Sequence, residues 1–444
     1  MEPSISPTRT RTGLVALLLV LAFVLGNLTG RVAPPLQARA LPEAQEPPEF
    51  GIFWEAWDIV VDHFVDREKI DYRQMTYGAI RGMLATLGDE GHTALLTPEE
   101  LELHRTGLEG RFEGIGAYVA MEDGQIKIVS PIAGSPAEAA GLLPGDVVLA
   151  VDGEEVQGLS LNQVIFRIRG PAGTQVTLTV LHPDAEEPVD VVITRQRIVL
   201  DSVTWTRIPG TPIAYIHISQ FTADTGQELE RALQALQRSQ DSQGPVRGIL
   251  LDLRNNPGGY LREAIRVSSQ FLPRGATILI EEDASKERRY YTARGVGLAR
   301  ELPLVVLVNP GTASAGEITA GALLENGRAP LVGQTTFGTG TVLNQFNLSD
   351  GSAILLGVTN WLTPNGQRIK GQGVTPTVQV EQPASTPLVD ARRLAGADLR
   401  ELARLPDRQF IVALEMLQRE LGLTPITRLG LGRRTPRPPA MRLH

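Results

Sequence analysis

Apolar and polar residues follow two different periods along this chain. Between residues 50 and 105 the apolar positions recur at helical spacing, which predicts a helical region. From Gly110 to residue 197 short apolar runs are separated by glycine turns, which indicates strands. Two helices interrupt them, one opened by a capping box at Ser135 with proline at the first helical position, the other starting at Ser160. The pattern therefore predicts a helical region followed by a β-rich domain with two short helices.

Beyond residue 198 the chain alternates between apolar strands and helices. Such alternation predicts a largely parallel sheet covered by helices. The predicted strands are 213–218, 248–253, 278–280 and 304–308, and the predicted helices are 226–236, 260–271, 315–324 and 408–420.

The N-terminal segment has the order of an export signal. Arg9 and Arg11 precede an apolar run over residues 14–25. The run is shorter than the roughly 20 residues of a comfortable membrane helix, and residues 38–40 (Ala-Arg-Ala) resemble a cleavage site. An uncleaved signal anchor and a cleaved signal peptide therefore both stay open. We expect the working domains to lie outside the cytoplasm, in the cell envelope.

We interpret the segments that flank the predicted domains as a tether and a tail. Residues 31–49 are rich in proline, which predicts an extended tether. Residues 386–444 hold one predicted helix and end in an arginine- and proline-rich tail. We expect the tail to be disordered, with a membrane- or partner-binding arm as the alternative.

Composition excludes several classes of chemistry. The chain has 42 Lys and Arg against 50 Asp and Glu, and a net charge of −8 argues against nucleic acid as the main partner. Without cysteine there is no disulfide, no thiolate zinc site and no cysteine nucleophile. No His, Asp and Glu set has metal-ligand spacing, and no phosphate-binding loop appears, so we expect neither metal nor cofactor. Only four lysines and six histidines can supply a nitrogen base.

Three motifs in the β-rich segment are typical of peptide capture. They are FEGIGA at 112–117, SPAEAAG at 135–141 and PGD at 144–146. Together they resemble the PDZ domain of the carboxyl-terminal processing peptidases, a family of tail-specific serine proteases. The resemblance implies that Gly114, Ile115, Gly116 and Ala117 bind the C-terminus of a peptide, since a PDZ domain holds the terminal carboxylate on backbone N–H groups. Taken alone, the glycines are also compatible with an ordinary tight turn.

Three further motifs extend the resemblance to the peptidase core. They are DLRNNPGG at 252–259, NPGTASAGE at 309–317 and GQRIKGQGVTP at 366–376, although Thr377 stands where an aspartate is usual. The resemblance implies that Ser314 is the nucleophile and that the Ala315 N–H helps to form the oxyanion hole. An amide from Gly258 or Gly259 would complete the hole, and the sequence leaves open which glycine donates. Without the resemblance, the N-cap of a helix is the better interpretation of Ser314, and the resemblance reverses that preference.

One part of the family pattern is missing. The general base of these peptidases is a lysine in a Phe-Gly-Lys-Gly turn, and here Thr339 occupies that position. Leu343 replaces the glutamine that usually supports the lysine. Threonine does not accept a proton at neutral pH, so the family's dyad is absent. His92, in DEGHT at 89–93, is a candidate alternative base with an unidentified carboxylate, or else a residue that only tethers the helical region.

Lys370, in the 366–376 motif, is a second alternative base.

The motifs and the pattern of strands and helices together predict an α+β and α/β multidomain protein with an inserted PDZ domain. The resemblance implies sheet-and-helix layering of the crotonase and Clp type for the peptidase core. The predicted segments are 1–30 signal, 31–49 tether, 50–107 helical region, 108–197 PDZ domain, 198–385 serine peptidase core and 386–444 C-terminal segment.

Two functions follow from these features. One is an envelope serine endopeptidase that cleaves proteins recognised by their C-termini and uses a base other than lysine. The other is an inactive pseudopeptidase that binds C-terminal peptides as a regulatory scaffold. The expected partners are protein or peptide C-termini, a membrane through the N-terminal segment, and a second copy of the chain, because family members often dimerise.

Overall fold

The computed structural model describes most of the chain between the two termini. The described residues are 47–426 except 90–91, 123, 133, 184 and 239–243. The predicted export signal, most of the predicted tether and the predicted arginine-rich tail therefore lie outside the described residues. Contacts divide the chain into two compact units, the first ending at Thr76 and the second beginning at Tyr77. Within the described ranges, no helix is both long and apolar enough to cross a membrane.

The first unit is helical and strongly aromatic. It contains helix α1 (Phe50–His63), a 3₁₀ turn (Arg67–Lys69) and the start of helix α2 (Tyr72–Ala85). No side chain of α1 is buried within the chain. Four of its aromatic rings lie side by side, with neighbouring centroids 5.2–6.4 Å apart: Phe50, Phe53, Trp54 and Trp57.

The second unit begins within helix α2 and contains the predicted helix at Thr97. Strand β1 (Ala94–Leu96) precedes helix α3 (Pro98–Glu109). Thr97 caps α3 in a complete capping box with Glu100, as the Thr-Pro-Glu-Glu sequence predicts.

An antiparallel sheet forms the PDZ-like domain. Strand β2 (Arg111–Gly114) pairs with β9 (Gln196–Val199), so the entry and exit of the domain lie side by side. The main sheet has the order β3-β4-β5-β7-β8, with β6 beside β5, and β3 lies at its edge. Its strands are β3 (Ala117–Glu122), β4 (Gln125–Pro131), β5 (Val147–Val151), β6 (Glu154–Glu155), β7 (Gln175–Leu181) and β8 (Val189–Thr194).

The two predicted helices of this domain are present. Helix α4 (Pro136–Ala139) begins at Ser135, whose hydroxyl accepts a hydrogen bond from the Glu138 N–H at 3.3 Å. The Glu138 carboxylate accepts from the Gly134 N–H instead of the Ser135 N–H, so the predicted capping box is only half formed. Helix α5 (Leu161–Ile168) has the complete box at Ser160.

The predicted parallel sheet forms the core of the chain beyond residue 200. Its order is β10-β11-β12-β15-β16-β19, and all neighbours are parallel except β10 and β11. Its strands are β10 (Val203–Arg207), β11 (Ile213–Ile218), β12 (Gly248–Asp252), β15 (Leu304–Val308), β16 (Leu331–Gly333) and β19 (Val378–Gln379). The continuous apolar runs of β12 and β15 are buried at every position, as strands covered on both faces require.

Helices cover both faces of this sheet. One face packs against helices α6 (Thr225–Arg238), α7 (Leu261–Phe271) and α8 (Ala315–Glu325). The other face packs against α9 (Ala391–Gly396) and α11 (Arg408–Glu420), with the short α10 (Leu399–Leu402) between them in sequence. The predicted mixed helix-and-sheet multidomain fold, with a β-rich domain before the parallel sheet, is confirmed.

A second, antiparallel sheet was not predicted. Its order is β1-β18-β13-β14, and β17 also pairs with β18. The strands beyond β1 are β13 (Thr277–Glu282), β14 (Arg288–Thr292), β17 (Thr341–Asn347) and β18 (Ala353–Leu362). The prediction that strand 278–280 belongs to the parallel alternation is therefore wrong. This sheet joins segments far apart in sequence, and four of the seven residues of β17 are exposed, so no apolar run marks that strand.

Candidate functional site

Ser314 stands on a strained turn between a strand and a helix. It follows β15 by a six-residue step, directly precedes α8, and has φ 51° and ψ −117°. Positive φ is costly for a residue with a side chain, so the surrounding loop must hold it there. The Thr312 hydroxyl does so by donating to the Leu253 carbonyl at 2.8 Å, and the Asn309 side chain accepts from the Asn255 N–H at 2.8 Å. This strand–turn–helix geometry is the one that exposes a nucleophilic serine.

The turn at Gly258 and Gly259 lies directly against Ser314. A Cβ on Gly258 would lie 2.5 Å from the Ser314 Cβ, so only glycine fits. The Gly258 N–H donates to the Asn256 side chain at 2.8 Å. The N–H groups of Gly259 and Ala315 have no acceptor among the described residues. Two unpaired amides therefore border the serine.

Glu317 is a buried carboxylate that joins two parts of the site. Its side chain is 0% exposed. Oε2 accepts from the Ser314 N–H at 3.0 Å and from the Thr339 N–H at 2.8 Å. Oε1 accepts from the Gly338 N–H at 2.7 Å and from the Thr336 hydroxyl. Burial raises the pKa of Glu317 above its ordinary range, and the four donated hydrogen bonds oppose that rise.

Thr339 lies beside Ser314, as the spacing of the family motifs implies. Because the backbone nitrogens of the two residues share one carboxylate oxygen, they are no more than about 6 Å apart. Thr339 is 7% exposed. The backbone of Thr339 is therefore held close to that of Ser314, and its side chain offers a hydroxyl but no basic nitrogen.

His92 lies in a cluster of polar side chains. One of them is the carboxylate of Asp89, and sequence analysis did not identify which carboxylate pairs with His92. Its Nδ1 lies 2.6 Å from the Thr341 hydroxyl and 3.9 Å from Asp89 Oδ2. Asp89 Oδ2 also accepts from the Thr93 hydroxyl at 2.7 Å, and the Thr341 hydroxyl lies 3.5 Å away. The Lys370 Nζ lies 2.8 Å from Asp89 Oδ1. We name these five residues the Asp89 cluster.

Burial within the Asp89 cluster favours a neutral imidazole. Burial lowers the pKa of His92, Asp89 raises it, Lys370 lowers it, and the net shift is downward. Burial acts to raise the pKa of Asp89, but hydrogen bonds from Lys370 and Thr93 outweigh it, and this pKa is lowered. At neutral pH His92 is therefore neutral beside an ionised Asp89.

The Asp89 cluster adjoins the turn that carries Thr339. Thr341 begins β17 two residues after Thr339. A Cβ on Gly340 would lie 2.2 Å from the Lys370 backbone nitrogen, and the Gly338 carbonyl accepts from the Gly371 N–H at 2.9 Å. The 366–376 motif thus packs directly on the turn, as Gly338 and Gly340 allow.

The predicted peptide site of the PDZ-like domain borders a cavity of about 220 Å³ between β3 and α5. Ile115, Gly116 and Ala117 line it, whereas Gly114 pairs with Gln196 in the β2–β9 ladder. The N–H groups of Ile115 and Gly116 find no acceptor in the part of the chain that the structure describes. The free edge of β3 and these two amides suit an added peptide strand and its carboxylate.

Comparison with known proteins agrees with this geometry. The model of peptidase family S41 matches residues 212–380, and a PDZ domain model matches residues 127–181. A carboxyl-terminal-processing protease of Synechocystis is 42% identical over 366 residues, which cover 81% of each chain. The carboxy-terminal processing protease CtpB of Bacillus subtilis is 36% identical over 74% of this chain and 67% of the relative. A solved photosystem II D1 C-terminal processing protease covers 77% of this chain and 95% of its own, at 32% identity and a TM-score of 0.45.

The chain belongs to the carboxyl-terminal processing proteases of peptidase family S41. These are serine proteases with a PDZ domain, so the predicted family is confirmed.

Sequence reasoning missed two functional features of this family member. Glu317 was recognised only as the end of a motif, although a glutamate three residues after a helix N-cap signals a capping box. Asp89 stands three residues before His92 in the same DEGHT motif, a local signal that was not used. The pairing of Asp89 with Lys370 had no local signal, because Lys370 is far from Asp89 in sequence. No group of three or more His, Cys, Asp or Glu in the described residues is arranged to hold a metal.

Proposed function

We propose that this protein is an active serine endopeptidase that cleaves proteins recognised by their C-termini, with Ser314 as nucleophile and His92 as general base. The observation that carries the proposal is the environment of the His92 ring. Its Nδ1 faces Thr341 and Asp89, and its Nε2 has no partner among the described residues. This arrangement suits a histidine that donates from Nδ1 and accepts a proton at Nε2.

The chemical steps follow from these groups. The Ser314 Oγ attacks the scissile carbonyl carbon while its proton passes to His92 Nε2. The Ala315 and Gly259 N–H groups stabilise the oxyanion, because the Gly258 N–H is already held by Asn256. His92 then gives its proton to the leaving amine, and a water molecule, activated in the same way, hydrolyses the acyl-enzyme.

Substrate selection in this proposal belongs to the PDZ domain. The edge of β3 pairs with an extended C-terminal segment, and the Ile115 and Gly116 N–H groups receive its carboxylate. The cavity is lined by Ile165 and Ile168 of α5, which favours an apolar terminal side chain.

The test is cleavage of a fluorogenic peptide with an apolar free C-terminus by the full chain. We expect Ser314→Ala and His92→Ala each to lower kcat by about 10³-fold or more, because members of one catalytic unit fail together. His104→Ala is the matched control, since this second histidine lies on α3 outside the Asp89 cluster. Unchanged cleavage by His92→Ala would overturn the assignment of the base.

The alternative is an inactive pseudopeptidase that binds C-terminal peptides. It is favoured by the buried Thr339, which occupies the lysine position without offering a proton acceptor. In that case the native chain and Ser314→Ala bind peptide equally and neither cleaves, while Thr339→Lys alone restores cleavage.

We also propose that the chain acts in the cell envelope, is attached to the membrane or exported through its N-terminal segment, and forms a homodimer. Support for location comes from the basic residues and the apolar run 14–25 alone. Support for dimerisation comes from the exposed apolar residues of the first unit, among them Ile52 at 71% and Val65 at 88% exposure. Cell fractionation and light scattering decide these two points; a cytoplasmic or monomeric protein contradicts them.

A further inference from the structure

Lys370 binds the carboxylate that faces the candidate base. Its ammonium lies 2.8 Å from Asp89 Oδ1, whereas Asp89 Oδ2 lies on the side of Thr93, Thr341 and His92. The two oxygens of Asp89 are thus divided between a cation and the histidine. The side chain of Lys370 is 40% exposed, and that of Asp89 only 11%.

The backbone around Lys370 is fixed by close packing. Gly340 allows the Lys370 backbone to approach the Thr339 turn, where any Cβ would collide with it. Ile369 is 1% exposed, and Gly373 packs against the Thr336 carbonyl, where a Cβ would lie 2.3 Å away. Lys370 is therefore held at one place beside the site, unlike a lysine on a loose surface loop.

We propose that Lys370 is a positioning residue for His92: its ammonium fixes the Asp89 carboxylate and helps the imidazole to stay able to accept a proton. This inference rests on the proposed function of His92. Lys370 is not itself assigned as the base, because its Nζ is already engaged by Asp89 Oδ1 at 2.8 Å.

The sign of the effect follows from the charges that face His92. They are Asp89 on its own segment and Lys370 on the 366–376 motif, while Thr341 of β17 is neutral. Asp89 acts to stabilise the imidazolium and so opposes the effect of burial, which is the largest cause of the lowered pKa of His92. Lys370 offsets part of the Asp89 charge and so adds to the lowering that burial causes.

The first test is the pH profile of kcat/KM in the full chain. Lys370→Met keeps the length of the side chain and removes its charge. We expect the acid limb to move upward by about half to one pH unit, which lowers kcat/KM about 3- to 10-fold below the midpoint and much less above pH 8. Lys370→Arg keeps the charge and should retain the native profile.

Lys286→Met is the matched control. Lys286 also pairs with a carboxylate, Glu282 at 3.1 Å, but has no contact with the Asp89 cluster in the described residues. We expect it to leave the profile unchanged. A loss of activity in Lys370→Met that is equal at every pH would overturn the inference, since a merely structural role gives that result.

The second test does not depend on activity. In the Ser314→Ala background, the His92 ring is titrated by NMR with and without Lys370→Met. We expect the midpoint to rise by the same half to one pH unit. An unchanged midpoint rejects the role of Lys370 even if the enzyme is active. A shifted midpoint in a chain without Ser314-dependent cleavage supports the charge effect and rejects the proposed function instead.

Discussion

At the start of α8 a single carboxylate holds the nucleophile turn and the Thr339 turn together. Glu317 satisfies the N–H groups of Ser314, Gly338 and Thr339, and a hydroxyl. Each carboxylate oxygen accepts hydrogen bonds from two of these donors. Replacing either oxygen by an N–H donor would therefore remove accepted hydrogen bonds. The geometry of Ser314 relative to the Thr339 turn therefore depends on this one side chain.

We predict that Glu317→Gln destabilises the protein by about 2–4 kcal/mol, because the amide nitrogen faces two donors whichever way the side chain is turned. The same change should lower kcat, since the turn that orients the site loosens. The measurement is denaturant unfolding combined with peptide cleavage.

Glu325→Gln, on the last turn of the same helix, is the matched control. Its carboxylate accepts one hydrogen bond, from the Asn365 N–H at 2.7 Å, and an amide oxygen replaces that acceptor. We expect an effect below about 0.5 kcal/mol. If Glu317→Gln and Glu325→Gln destabilise the protein equally, the four hydrogen bonds that Glu317 accepts contribute no more to stability than the one that Glu325 accepts.

At the scale of elements, helix α5 has one face in the PDZ core and one face on the peptide cavity. Val164 and Ile168 are buried, and Ile168 also borders the cavity, whereas the neighbouring Ile165 lines the cavity and is only half buried. A substitution at Ile165 can therefore change binding without emptying the core.

We predict that Ile165→Ala weakens binding of a fluorescent peptide with an apolar free C-terminus by about 5- to 30-fold, from the apolar area lost. Amidating the peptide C-terminus should weaken binding to the native chain as well, because the Ile115 and Gly116 N–H groups lose their carboxylate. Fluorescence anisotropy measures both effects.

Arg167→Ala, on the same helix, is the control. Arg167 makes an exposed ion pair with Glu154 at 2.8 Å, which contributes little to stability. We expect unchanged binding. If Arg167→Ala weakens binding as much as Ile165→Ala does, the cavity is not the peptide site.

The elements that sequence predicts well are those with a continuous signal. Strands β12 and β15 are short apolar runs between turn residues, and their bounds fall within one residue of the prediction. Helix α11 was also predicted near its observed bounds. Strands β17 and β18 lack such a signal, because half-buried strands at the edge of a mixed layer carry many polar residues.

At the scale of the whole molecule, the site is assembled from segments that no local pattern connects. Ser314 and Thr339 were found through motifs, since each lies in a run of residues with its own signature. Asp89 and Lys370 are joined only by the folded chain, where the turn at Gly340 brings the 366–376 motif beside residue 89. Charge pairs of this kind are the part of a site that sequence reasoning alone does not reach.

A second long-range connection ties the C-terminal segment to the core. Arg254, fully buried, bonds to Asp252 at the end of β12 and to Asp407 at the start of α11, each at 2.7 Å. Asp407 also accepts from the Phe410 and Val389 N–H groups. One guanidinium thus links the strand that leads into the Gly258 turn with the helix that covers the sheet.

The pKa of Asp252 shows which partner dominates. Burial acts to raise it, but the charge and hydrogen bonds of Arg254 outweigh burial, and the pKa is lowered from its ordinary value of 3.8. A lowered carboxyl pKa stabilises the fold above pH 3.8, and that stabilisation is lost as pH falls through the folded pKa.

We predict that Arg254→Met destabilises the protein by about 3–5 kcal/mol, because it leaves two buried carboxylates without a counter-ion. Asp407→Asn should cost less, since the amide oxygen still caps α11 and Asp252 still balances Arg254. The double variant should cost less than the sum of the two, as residues of one network do. Denaturant unfolding measures all three, and limited proteolysis reports whether residues 387–426 detach first.

Arg266→Met is the control for this network. Arg266 is 45% exposed and pairs with Glu263 at 3.3 Å, so we expect a loss of about 0–1 kcal/mol. If Arg254→Met is no more harmful than Arg266→Met, the buried pair does not hold the C-terminal segment. A second outcome concerns the Gly258 turn. In Arg254→Met, the C-terminal segment detaches while β12 stays protected from hydrogen exchange, and peptide cleavage falls by the fraction of molecules in which the segment is detached. This outcome would show that the segment supports the Gly258 turn through Arg254 and not only through the apolar face of α11.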